Sequence, residues 1–270
     1  MAAIDPMHQF MIHKVVDLPP VHIGGFVLDM SITNSVLSMF AGALIICAFF
    51  WISARREVVP GRLQVLGEMA YGLIDGVLVG PIMGHKGRAY VPFVLTIFMT
   101  VLVFNMMGIW LSIGNLAGLQ LTFTVTAQLA CTVALALVTF LSVVVIGFIK
   151  NGLGFFKLFV PGGVPAYLLV LMVPIEIISF MVRPLTLSMR LFGNMIGGHV
   201  VMYMFASFVV SLAMFAMGGH LFGWPLSGVS FAMVVALTGL ELIVAFLQAF
   251  VFAALACVYL NEVVNLGHGH

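Results

Sequence analysis

Arg190 stands in the stretch SMRLFGNMIGGH, within an apolar segment of a 270-residue chain that is 63% hydrophobic and only 7% charged. An arginine at the centre of a membrane helix costs about 2.5–3.5 kcal/mol on insertion scales, so such a charge needs a task or a partner. Between Lys157 and Glu262 the only formal charges are Glu176, Arg183, Arg190 and Glu241. Glu176 precedes Arg190 by fourteen residues. On a helix that is close to four turns, which puts the two on one face about 20 Å apart. Arg183 is two turns before Arg190 on the same side, and Asn194 follows Arg190 by one turn, near enough to orient it. His199 is nine positions on, roughly on the opposite face, while Glu241 and Gln248 are seven apart and share a face of a later helix. The pattern is that of a fixed cation flanked by separate groups able to pass protons.

Each of these residues also has a plainer reading. Arg183 is nearer the basic end of its helix, where its stem can snorkel to the headgroups. Glu176 can pair with Arg183 or cap, and His199 can be a hydrogen-bonded core residue. Glu241 has no basic neighbour in sequence, so a purely structural pairing would need Arg190 across a hairpin. Arg190 has long apolar stretches on both sides and cannot easily snorkel. Beside it, Gly193, Gly197 and Gly198, with Ser179 and Ser188, thin the helix and let a neighbouring surface approach closely.

The elements that must carry these residues are membrane helices. A mean hydropathy of +1.24 is far outside the soluble range. The net charge of +1 argues against a nucleic-acid partner, which calls for a basic patch. Cys47, Cys131 and Cys257 lie in separate apolar segments without metal-like spacing and read as small core residues. Residues 1–30, with Pro19, Pro20 and His22, read as an irregular water-exposed arm. A first span over 34–54 is long enough to cross a ~30 Å core and stops at Arg55 and Arg56, which mark the cytoplasmic side. The N-terminus is then outside. Over 62–80, Arg62, Gln64, Glu68 and Asp75 recur at helical spacing among apolar residues, the pattern of an amphipathic helix in the interface. Two spans follow over 89–149, joined by a charge-free turn and returning to Lys150 and Lys157. From 166 to 264 two long apolar runs, broken around Gly218, Gly219, Gly223 and Pro225, are each longer than a vertical span needs. They predict a tilted membrane-embedded hairpin that wraps around something. The fold expected is therefore all-α and polytopic, a single membrane domain.

Several stretches resemble subunit a of the rotary F-type ATP synthases. In chain order they are VPGRLQVLGEM, IDG, FNMMG, TVALALVTF, SMRLFGNMIGGH and LQAFVF, spread over most of the chain. The resemblance implies a non-catalytic stator subunit without cofactor or metal, in the lipid bilayer of a bacterial inner membrane. Its implied partners are a ring of c subunits and b-type peripheral-stalk subunits. It further implies that Arg190 is the essential arginine facing the ring carboxylate and that Glu176 is the acid of the cytoplasmic half-channel. Asn194, His199, Glu241 and Gln248 correspond to the polar lining of the opposite half-channel. Some family members carry the acid at the position of His199 and the imidazole at that of Glu241; here the pair is swapped, and the acid–imidazole combination is retained. His199 and Glu241 favour protons as the coupling ion.

Two other classes compete with this reading. A secondary ion or solute transporter would use Glu176, Glu241 and Arg190 for its own substrate, but would be expected to show an internal repeat, which the sequence lacks. A purely structural stalk anchor would leave the polar residues merely paired. The terminal His268 and His270 read as a tail rather than a metal site.

Overall fold

The computed structural model describes residues 14–16, 21–23, 26–28, 31–54, 61–113, 125–160, 166–218 and 222–265. Arg55, Arg56, His268 and His270 lie outside them. The protein is helical, and six helices among the described residues are long and apolar enough to cross a membrane. They include α1 (Asn34–Ser53), α4 (Val91–Ile113), α5 (Leu129–Asn151), α6 (Ala166–Met217) and α7 (Gly223–Val264). The sixth is the stretch Arg62–Met83, which meets that criterion by length and composition. It consists of α2 (Arg62–Leu73), a π-helical turn over Ile74–Val79, and α3 (Gly80–Met83).

The arm read as irregular contains four short strands: β1 (Lys14–Val16), β2 (Val21–Ile23), β3 (Phe26–Leu28) and β4 (Ile32–Thr33). β1 pairs with β4, and β2 with β3, both antiparallel. Only Gly24 and Gly25 separate Ile23 from its partner Phe26, the sequence spacing of a two-residue hairpin.

Continuity of the last two helices is the main architectural fact. α6 holds 52 residues and α7 holds 42, with Pro174 and Pro184 accommodated inside α6. At 1.5 Å per residue, α6 has a contour of about 78 Å, more than twice a bilayer core. Four short spans after Lys157 are thereby excluded.

The chain forms two compact units. The first comprises Met1–Leu44, Leu102–Gln128 and Leu191–Leu247; the second comprises Ile45–Val101, Leu129–Arg190 and Gln248–His270. In the first, Ile109, Ala127, Met195 and Ala245 form a buried core against which Met106 and Val244 pack. Gly42 of α1 faces Phe104, and a Cβ there would lie 2.5 Å from the ring, so only glycine lets the two helices approach. The α6 and α7 portions of this unit run antiparallel: Ser227 Oγ donates to the Val209 carbonyl, and Thr238 lies against Met202.

In the second unit the end of α7 is buried by small residues. Ala249, Ala253, Ala256 and Cys257 are fully covered, and the Cys257 thiol lies against the Leu78 carbonyl. Small side chains let helices close on one another where lipid offers no hydrophobic drive. Gly147 of α5 meets Val263 so closely that a Cβ would fall 2.2 Å from it. Asn151 then donates its amide to the Val263 carbonyl at 2.6 Å, satisfying one of the orphan acceptors at the end of α7. α1 ends against α2 in the same way: Ser53 Oγ donates to the Leu63 carbonyl, and Gly67 leaves room for it. α2 buries little beyond that glycine, and its Leu63, Leu66 and Met69 are exposed. Of the three cysteines only Cys257 is buried; Cys47 is exposed, contrary to the core role expected for it.

Candidate functional site

The first unit brings together two of the residues singled out in the sequence. His199 of α6 and Glu241 of α7 are 1% and 5% exposed, and His199 Nδ1 lies 2.6 Å from Glu241 Oε1. The same nitrogen is 2.9 Å from the Met195 carbonyl, and the ring also reaches the backbone of Gly108. A proton on Nδ1 therefore meets a carbonyl and a carboxylate together. Gly198 makes this possible, since a Cβ at that position would lie 2.9 Å from Glu241 Oε1. The Glu241 Oε2 atom has no hydrogen-bond partner among the described residues. Asn194, on the same stretch of α6, is exposed.

Asn105, in the FNMMG stretch of α4, is a further polar residue of this unit that charge and helical spacing do not single out. Asn105 is fully buried and donates its amide to the Ala245 carbonyl at 3.2 Å, one turn from Glu241. Its Oδ1 and the Thr126 hydroxyl have no partner among the described residues. Buried polar atoms are paired in most proteins, with protein groups or with ordered water.

The second unit treats its charges differently. Glu176 is half-buried, with one oxygen 3.7 Å from Arg183 Nη2. Arg183 Nη1 donates to Glu262 Oε2, and the guanidinium lies 4.7 Å over the Tyr259 ring and 5.6 Å over the Phe180 ring. Arg183 is thus turned inward with its side chain only 18% exposed, which corrects its expected role as a snorkelling anchor. The reason is Glu262, a carboxylate 79 residues away that no local pattern connects to it. Gln248 is buried. Arg190 is exposed, and it makes no hydrogen bond or ion pair among the described residues. Its charge is felt at the Tyr259 hydroxyl, as are those of Arg183 and Glu262.

The small-residue face next to Arg190 divides in two. Gly193 and Gly197 have nothing within 4 Å of a hypothetical Cβ, whereas Gly198 is filled by Glu241. Ser188 is buried, with its hydroxyl returned to the Leu185 carbonyl. Among the described residues no three His, Cys, Asp or Glu side chains converge as a metal site would require.

Six apolar helices, the last two carrying Glu176, Arg183, Arg190, His199 and Glu241, define a multi-pass membrane protein, and charges at such depth are by default candidates for ion or substrate paths. The chain belongs to the ATP synthase A chain family, whose model matches residues 36–261. It is 46% identical over 266 residues to the ATP synthase subunit a of Mesorhizobium japonicum, with 98% of each chain covered. It is 45% identical over 266 residues to that of Rhodopseudomonas palustris, covering 98% of this chain and 100% of the relative. The same identity as the first, 46% over 267 residues, relates it to subunit a of a Chelativorans species, with 98% of this chain and 100% of the relative covered.

Proposed function

We propose that this chain is the stator subunit of a proton-driven ATP synthase membrane sector, non-catalytic itself, which feeds protons to and from a ring of c subunits. It would lie in a bacterial inner membrane with its N-terminus outside, α2 in the cytoplasmic interface, and its α6–α7 hairpin tilted against the ring. Peripheral-stalk subunits of the b type would hold it against torque.

The observation that carries this reading is Arg190. It is a cation on a long apolar helix, exposed and without an ion pair among the described residues. Such a charge is tolerable when a partner supplies the counter-ion. A ring carboxylate facing lipid must be protonated, because its ionised form is costly there. An arginine within about 4–6 Å lowers a carboxylate's pKa by roughly 1–3 units, and the two charges attract by about 4 kcal/mol at an effective dielectric near 20. That suffices to make the carboxyl release its proton near Arg190 without locking the ring. Arginine, unlike lysine, keeps its own proton, so it separates two water paths instead of joining them. The open space at Gly193 and Gly197 suits the close passage of ring helices.

The two paths lie on either side of Arg190. His199, Glu241 and Asn194 line the one from outside, with the buried oxygens of Asn105 and Thr126 as further acceptors for water. Glu176 lies towards Lys157, the basic and therefore cytoplasmic side, and serves the other. A potential of 100 mV supplies about 2.3 kcal/mol per charge, comparable to the attraction each ring carboxylate must escape. The test is aqueous accessibility of single cysteines at positions 176 and 241 in an otherwise cysteine-free complex. Position 241 is expected to react from the outside and position 176 from the cytoplasm; the reverse result would overturn the assignment of entry and exit.

A further inference from the structure

We propose that Glu262 is the permanent counter-ion of Arg183, and that Arg183 so held is a positioning residue for Glu176. This arrangement lets Glu176 take up and release a proton without leaving a half-buried cation unpaired. The proposal rests on the reading of Glu176 as the cytoplasm-side acid.

The geometry is asymmetric. Arg183 donates directly to Glu262 Oε2, whereas its other nitrogen is 3.7 Å from Glu176, within ion-pair range but beyond a good hydrogen bond. A guanidinium has five donors in a fixed fork and can serve two carboxylates at once. The guanidinium also lies over the rings of Tyr259 and Phe180, contacts that favour its present position between the two acids. The charged and titratable groups facing it are Glu176 from α6 and Glu262 and Tyr259 from α7, with the field of Arg190 reaching Tyr259.

Suppose Glu176 were the only counter-ion. Each proton it accepted would strand Arg183, and removing one partner of a buried pair is strongly unfavourable. Glu176 would then hold its charge and resist protonation from the ring. With Glu262 bound, the group of three carries one net negative charge when Glu176 is ionised and none when it is protonated. Arg183 is paired in both states. The proton moves from a ring carboxyl to a Glu176 oxygen and on to cytoplasmic water, and no other bond changes.

The experiment uses the whole synthase in inverted membrane vesicles, reading ATP-driven proton pumping per assembled complex. Glu262→Gln should reduce pumping by about tenfold, well short of the 10²–10⁴ lost when a proton-transferring group is removed outright. Glu262→Asp should retain most of it. The loss should depend on the pH of the cytoplasm-facing medium and not on that of the vesicle interior, a side dependence that a merely structural tie would not produce. Arg183→Gln/Glu262→Gln should pump better than Glu262→Gln alone, because Glu176 is no longer captured. A double variant no better than the single, or a loss independent of cytoplasmic-side pH, would overturn the proposal. Glu176→Gln is run alongside. If it pumps normally, the assignment of Glu176 itself falls; if it is defective while Glu262→Gln is normal, only the role given to Arg183 and Glu262 falls.

Discussion

Arg183 and Arg190 stand two turns apart on α6, and their surroundings could hardly differ more. Arg183 is enclosed by Glu262, Glu176 and two aromatic rings, while Arg190 is exposed without an ion pair among the described residues. The same division runs through the acids: Glu241 is sealed against His199 at 5% exposure, and Glu176 stays half open with 36% of its side chain exposed. The closed charges have an ionic partner within the chain, although Glu241 Oε2 has no hydrogen-bond partner among the described residues. Of the open charges, Glu176 keeps Arg183 at 3.7 Å, and Arg190 has no ion pair among the described residues. Under the function proposed above, that difference would separate residues that hold the path in shape from those that meet the ring.

The comparison breaks most visibly at Arg190. Arg190→Ala should abolish ion-driven ATP synthesis while the complex assembles, since no hydrogen bond or ion pair among the described residues is lost. Arg190→Lys should fail or leak, because a lysine desolvated by the proposed ring can give up its proton. Arg183→Gln should show the opposite profile: less assembled complex, since Glu262 loses its partner, with synthesis per assembled complex less affected than in Arg190→Ala. Subunit content and synthesis rate in the same vesicles measure both. Coupled synthesis by Arg190→Ala would remove the distinction between open and closed charges altogether.

Much of this was legible before any coordinates. Arg190 stood out because an arginine between long apolar runs has no cheap alternative, and the lengths of α6 and α7 followed from two uninterrupted hydrophobic segments. His199 and Glu241 were both identified, but their contact was not, since it joins two helices across 42 residues of sequence. Arg183 was misread for the same reason: helical periodicity sees neighbours three or four residues away and is blind to Glu262, 79 residues on. The π-helical turn at Ile74–Val79 was equally hidden, because one extra residue per turn changes the facing of Asp75 without altering composition. The β2–β3 hairpin is a different case. Its signal is local, the Gly24-Gly25 pair standing between two short runs rich in β-branched and aromatic residues.

A second test sharpens the closed side of the comparison. Glu241→Gln keeps shape and a hydrogen-bonding group beside His199 but removes the titratable oxygen pair. Proton entry from the outside should slow by about 10²-fold, the scale for losing one general acid–base group. Passive proton conduction through the membrane sector, measured after the catalytic head is stripped off, isolates this step. His199→Gln should resemble it, and combining the two should cost little more, because the pair titrates as one unit. Fully additive losses would mean that the two side chains act separately despite their 2.6 Å contact.

The smallest effect is expected at the glycines, where the comparison narrows to single atoms. A Cβ on Gly198 would sit 2.9 Å from Glu241 Oε1, 3.4 Å from its Cδ and 3.6 Å from its Cγ. The obstacle is the far end of a flexible side chain, so α6 and α7 need not separate. Glu241 instead moves a few tenths of an ångström away from His199. Gly198→Ala should therefore assemble normally and slow proton entry only a few-fold, since proton transfer requires heavy atoms within about 2.6–3.2 Å. Gly193→Ala and Gly197→Ala meet nothing within 4 Å in this chain. Neither should disturb the His199–Glu241 contact, and any loss they cause reports on the partner that passes the open face. The two kinds of defect are separable by passive conduction in vesicles holding only the membrane sector. A Gly198→Ala defect should appear as slow entry from the outside alone. Equal defects from both sides, or wild-type conduction, would show that the fit of Gly198 against Glu241 does not set the position of the acid.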